Sequence, residues 1–170
     1  MTDRIDRTEV PDAVVTGVTR LYARQSRLID EGDAQGWAAT FTADGVFASP
    51  SYPEPVVGTA ALVGFAEDFR TAGERTRTRL RHVITNVDVL PGAAGEPGFE
   101  PGPEPDRVVA HAYLQIVETP AGEGSRLVRL TTIADDLVRD DTAALGWRVA
   151  RRRVRRDDTT EQPNQQGAPA

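Results

Sequence analysis

The stretch Val108-Val109-Ala110-His111-Ala112-Tyr113-Leu114-Gln115-Ile116 alternates between two kinds of side chain. Successive residues of a β-strand point to opposite faces, so Val108, Ala110, Ala112, Leu114 and Ile116 form a wholly apolar face. Val109, His111, Tyr113 and Gln115 form a mixed one. A strand with this pattern belongs to a sheet whose one side is covered by a core.

The neighbouring segments extend the pattern. Arg79–Leu90, Arg126–Arg139 and Trp147–Arg156 are further long β-prone runs. Gly92–Asp106 reads as a flexible Gly/Pro/Glu loop, and Thr119-Pro120-Ala121-Gly122 and Asp140–Leu145 as hairpin connections. Upstream the periodicity changes to helical. Val14, Val18, Leu21, Tyr22, Leu28 and Ile29 predict a helix from Pro11-Asp12 to Gly32. Asp33 can cap a short helix over Ala34 to Thr42. Ala43-Asp44-Gly45 reads as a turn and Val46-Phe47-Ala48 as a short strand, broken by Pro50 and Pro53. A third helix follows Gly58 and carries Leu62, Phe65 and Phe69 on one face. Helices first and long antiparallel strands afterwards predict an α+β domain with its helices on one face of the sheet. Arg79–Leu90 has apolar residues in both registers, which predicts cover on both faces, the second supplied by another subunit.

The 170-residue chain suits one domain, read as 11–158 between a frayed N-terminus (1–10) and a polar, disordered tail (159–170). It has no cysteine and no lysine, which excludes disulfides, thiolate metal sites, cysteine nucleophiles and Schiff-base lysines. With only two histidines, expected on opposite faces, no closed metal site is expected. Neither a GxGxxG nor a Walker sequence occurs, so no cofactor is expected. There is no bilayer-length apolar run and no signal-peptide stretch, which predicts a cytoplasmic protein without membrane contact. A net charge of −6 argues against nucleic acid. The arginines at 148, 151, 152, 153, 155 and 156 lack interleaved aromatics, and salt bridges to the many carboxylates explain them better.

Several phrases resemble the NTF2-like superfamily and its SnoaL-like branch. They are Leu28-Ile29-Asp30-Glu31-Gly32-Asp33, Phe41-Thr42-Ala43-Asp44-Gly45-Val46-Phe47, Gly58-Thr59, Arg81-His82-Val83-Ile84-Thr85-Asn86, Asp136-Leu137-Val138-Arg139 and Gly146-Trp147-Arg148-Val149. The resemblance implies a cone-shaped fold, with three helices on a strongly curved, mixed but mainly antiparallel sheet, an internal pocket, and a homodimer. The superfamily includes polyketide cyclases, dehydratases, isomerases, epoxide hydrolases and the non-catalytic β subunits of ring-hydroxylating dioxygenases.

Within that frame His82 matches the pocket histidine of the dehydratases, and Asp30 matches the aspartate that points into their pocket. A histidine titrates near neutrality and can serve as general acid or base. Asp30 lies in the last turn of its helix, where the helix dipole disfavours a negative charge, and Asp33 already supplies the next cap. His111 lies on the mixed face and is expected away from the pocket. Tyr22, Phe47, Tyr52, Phe65 and Phe69 are candidate pocket walls, with Trp37 beside them. Thr131, Ile133 and Asp135 share the face that the resemblance turns inward, making Asp135 a second acidic candidate unless it sits at the rim. The ketosteroid isomerase residues are missing, because Ser49 and Gln25 stand where its base and its tyrosine would fall.

The expected function is that of a cofactor-independent lyase, isomerase or cyclase. Its substrate would be a small, apolar, oxygenated molecule, a polyketide-type intermediate of bacterial secondary metabolism. His82 would move the proton, Asp30 would orient it, and Tyr52 or Asp135 would polarise a substrate oxygen. The rival expectation is a non-catalytic ligand-binding or assembly subunit.

Overall fold

The computed structural model describes residues 10–92 and 105–157. Most of the loop expected over Gly92–Asp106, and both chain ends, lie outside these residues. Three helices, α1 (Asp12–Glu31), α2 (Ala34–Ala38) and α3 (Thr59–Thr76), accompany six strands. The strands are β1 (Phe41–Ala48), β2 (Val56–Val57), β3 (Thr78–Pro91), β4 (Arg107–Pro120), β5 (Arg126–Arg139) and β6 (Trp147–Arg156). They form one open sheet in the order β2-β1-β6-β5-β4-β3. Only β1 and β6 run parallel; the other pairings are antiparallel. The chain is therefore α+β, with its helices laid across one face of a mixed sheet. Among the described residues no helix is long and apolar enough to cross a membrane.

Helix α1 buries Val14, Val18, Leu21, Tyr22, Gln25, Leu28 and Ile29, a stripe at spacings of three and four. It ends at Gly32, whose φ of 80° is left-handed and costs glycine little. A β-carbon there would also lie 2.4 Å from Arg70 Cδ, at the flexible end of a side chain that can move aside. Gly32→Ala is therefore expected to lower stability by about 1–2 kcal/mol, the backbone cost alone, as read by urea denaturation.

The Asp33 carboxylate accepts the Gly36 N–H at 2.8 Å and starts α2. This helix stops at Ala38 rather than near Thr42. Thr40 Oγ1 donates to the Trp37 carbonyl at 2.6 Å, and the chain turns directly into β1. The segment Ala43-Asp44-Gly45, expected as a turn, lies inside β1. Phe41 pairs with Val149 but Val46 with Arg151, so the extra β1 residues bulge out of the ladder.

Bulges also explain the two registers of β3. Thr85 pairs with Tyr113 but Asp88 with His111, leaving one extra residue on β3, and Asn86 takes up a φ of 53°. Before the bulge Leu80, His82 and Ile84 face the helices; after it Val87 and Val89 do. Val83 remains 40 % exposed on the outer side. The double register reflects a change of parity within β3, which explains it without a second cover. A third bulge lies in β6, where Asp136 pairs with Arg151 and Leu137 with Val149, skipping Ala150. Trp147 and Val149 face the core before it, and Arg152 and Val154 face inward after it.

Candidate active site

The inward faces of β3, β4, β5 and β6 and the facing sides of α1 and α3 enclose a cavity of about 70 Å³. One wall is aromatic. The Phe65 ring stands 5.6 Å from Trp37, 4.9 Å from Phe47 and 5.1 Å from Tyr52. Phe69 extends this wall to His82, with 5.3 Å between ring centres. Ile84, Leu114, Ile116 and Val154 supply the apolar floor; Gln25, Ser26, His82, Thr131 and the buried Arg152 are polar, with Ser49, Ser51 and the exposed Arg129 also at the lining.

Strand β3 is an edge of the sheet, so the outward N–H of His82 has no neighbouring strand to bind. Asp30, at the C-terminal end of α1, takes it at 3.2 Å and 3.1 Å through its two oxygens. The same carboxylate lies 2.7 Å from His82 Nδ1, with the two side chains 6 % and 15 % exposed. These contacts offset the unfavourable place of a carboxylate at a helix C-terminus. Asp30 thus has two tasks: it ties α1 to β3, and it orients the imidazole. An ionised carboxylate only accepts, so Nδ1 carries the hydrogen and Nε2 is the nitrogen left for the cavity. An imidazole with one nitrogen held and the other free can accept and return a proton.

The other wall holds a second polar cluster. Arg152 Nε donates to Asp135 Oδ1 and Oδ2 at 2.9 Å and 3.1 Å, and Nη2 donates to Asp135 Oδ2 at 2.6 Å. Nη2 also donates to Gln25 Oε1 at 2.8 Å, and Gln25 Nε2 in turn donates to Thr40 Oγ1 at 2.6 Å. Asp135 is 0 % exposed and Arg152 5 %. Burial works against the guanidinium charge, but the Asp135 carboxylate outweighs it and holds the arginine pKa above its ordinary value. Burial, with the Asp135 charge added to it, pushes the nearby Tyr22 phenol well above the usual tyrosine range.

Of the residues expected at the site, Asp30 and His82 meet one another, and Phe47, Tyr52, Phe65, Phe69 and Thr131 line the cavity with His82. Tyr22, Ile133 and Asp135 are buried behind the wall and do not line it. Asp135 is not at a rim, and Arg152 occupies both its oxygens. His111 is exposed on the opposite face of the sheet. The arginine run was expected to alternate sides of its strand and to pair with carboxylates, as Arg152 does with Asp135; what sequence reasoning passed over is that Arg152 lines the cavity. The available signal was the shift of apolar residues from odd positions (Trp147, Val149) to even (Val154), which marks a bulge and turns Arg152 inward.

Solved structures share this architecture. A Catenulispora acidiphila protein in complex with S-DNPA is 28 % identical, with a TM-score of 0.68 over 86 % of this chain and 96 % of that one. ActVI-ORFA of Streptomyces coelicolor is 22 % identical, with a TM-score of 0.72 over 88 % of this chain and 99 % of that one, a likeness of fold alone. So is that of an NTF2-like protein with a cystatin-like fold from Novosphingobium aromaticivorans, 20 % identical, with a TM-score of 0.66 over 86 % and 84 % of the two chains. No curated protein matches the sequence. The family model of the SnoaL-like domain matches residues 13–153, and with the NTF2-like fold around the cavity this places the chain in the SnoaL-like family.

Proposed function

We propose that this chain is a cofactor-independent acid–base enzyme, a lyase, isomerase or cyclase acting on a small, apolar, oxygenated molecule. The observation that carries the reading is the Asp30–His82 pair, with its free imidazole nitrogen beside a cavity walled by aromatic rings. His82 is the catalytic residue and Asp30 its positioning residue. The apolar wall favours a substrate with a flat carbon skeleton, and the SnoaL-like family favours a polyketide-type intermediate. A homodimer is part of the proposal: Tyr113, Leu127 and Leu130 are half exposed on the outer sheet face, where a second copy would bury them.

The rival reading, a ligand-binding or assembly subunit without turnover, is favoured by one observation. A cavity of about 70 Å³ is small beside ligand sites, which run from about 300 Å³. An enzyme of this size class must part its aromatic wall to admit substrate, and Tyr52, 39 % exposed at the mouth, is the ring with most freedom to move. A panel of small cyclic ketones and β-hydroxyketones, incubated with the protein in D2O and followed by mass spectrometry, separates the two readings. Protein-dependent dehydration or deuterium uptake in at least one compound is expected. A panel unchanged from buffer, alongside measurable binding, would make the protein a subunit.

A further inference from the structure

Three of the five guanidinium N–H groups of Arg152 are used by Asp135 and Gln25, through Nε and Nη2. Nη1 makes no hydrogen bond among the described residues, although the side chain is buried and lines the cavity. The guanidinium carbon lies 5.3 Å from the Tyr22 ring centre and 5.9 Å from that of Phe41, so stacking helps to hold its plane. A further polar group on α1 that lines the cavity is unmet: Ser26 Oγ is buried without a partner. Buried donors without acceptors cost about 1–3 kcal/mol each, so this corner is built for an oxygen that the protein does not supply. A purely structural role does not account for it. Such ion pairs are commonly no better than apolar packing, and a structural one need not present an edge to a cavity.

We propose that Arg152 is the oxygen-binding group of the site, its Nη1 edge receiving the carbonyl oxygen of a neutral, enolisable ketone. The inference rests on the acid–base reading of Asp30 and His82. Asp135 and Gln25 act as positioning residues that fix the guanidinium. The Asp135 charge already neutralises the arginine, so the site suits an oxygen that is neutral on entry and gains charge during reaction, more than a permanent carboxylate.

The chemistry balances without an oxidant or reductant. His82 Nε2 removes the proton from the carbon next to the carbonyl. The C–H electron pair becomes the new C=C bond, and the C=O π pair moves onto oxygen, where Arg152 Nη1 donates to the enolate. The imidazolium formed is balanced by the Asp30 carboxylate. In isomerisation the proton returns to another carbon and the carbonyl re-forms. In dehydration the carbonyl also re-forms, the C=C pair shifts, the β C–O bond breaks, and the imidazolium proton leaves with the hydroxyl as water.

Acetylacetone is a suitable probe, being small and absorbing at longer wavelength as the enolate than as the neutral enol. Titrated into the wild-type protein below its own ionisation range, it is expected to bind and show the enolate band. Arg152→Gln is expected to weaken binding at least tenfold and to abolish the band. The double variant Asp135→Asn with Arg152→Gln, which leaves no buried charge, serves if the single variant does not fold. 3,3-Dimethylpentane-2,4-dione, whose central carbon has no hydrogen and so cannot give the conjugated enolate, should show no band, and acetate should compete poorly. A folded Arg152 variant that keeps band and affinity, a wild type without the band, or acetate binding as tightly as the diketone would overturn the assignment. The underlying reading fails separately: with it wrong and Arg152 right, the band depends on Arg152 while deuterium uptake at the central carbon is indifferent to His82→Gln.

Discussion

Asp135→Ala is expected to destabilise the fold by about 3–5 kcal/mol, the largest effect of any single substitution considered in this chain. Asp135 is 0 % exposed, and both its oxygens accept from Arg152, itself only 5 % exposed. Removing the carboxylate leaves a buried guanidinium with only Gln25 and two aromatic rings for company. The attraction that outweighs its burial is then gone. The pair also joins adjacent strands, since Asp135 and Arg152 face one another across β5 and β6, and Gln25 carries the link to α1. Urea denaturation followed by circular dichroism measures the loss. Removing both charges should be far milder than removing one, because no orphaned ion remains: Asp135→Leu with Arg152→Met is expected to recover most of the stability. An Asp135→Ala protein within about 1 kcal/mol of wild type would mean that the pair is not closed as described.

The second large effect is on rate. His82→Ala is expected to lower turnover of any substrate found in the ketone panel by about 10²–10⁴-fold, the usual worth of a general acid–base group. The fold should survive, because the link between α1 and β3 runs partly through the His82 backbone N–H, which alanine keeps. The imidazole itself borders a cavity, so its loss removes little packing. His111→Ala is the matched control, an exposed histidine on the other face of the sheet, and should leave turnover unchanged. A His82→Ala enzyme as fast as wild type would remove the histidine from the mechanism.

How far these residues could be read from sequence depended on parity. Helix α1 and strand β4 keep one period throughout, and their inward residues were legible directly from Val14 to Ile29 and from Val108 to Ile116. Two of the strands that build the site, β3 and β6, do not keep one period. A single extra residue near Asn86, and another at Ala150, exchanges inside for outside halfway along β3 and β6. Strand β3 places His82 inward before its bulge, and that residue was legible through the resemblance to the dehydratases rather than through parity. Arg152 lies after the bulge in β6 and was hidden among arginines that do face out. Asp30 was found from an electrostatic misfit at a helix end, and the structure supplies the partner that relieves it. Asp135 was expected to act on substrate, yet its oxygens belong to Arg152. That pairing joins residues on different strands, and no spacing within one strand announces it.

The central claim, that the interior cavity is a substrate site with His82 at its working end, can be tested in one spectrum. The chain contains only two histidines, so a ¹⁵N-detected imidazole spectrum resolves the site and its control together. Adding a reactive ketone from the panel is expected to move the Nε2 resonance of His82 and leave both nitrogens of His111 where they were. A ligand that binds while His82 stays still, or that moves His111 instead, would contradict the claim.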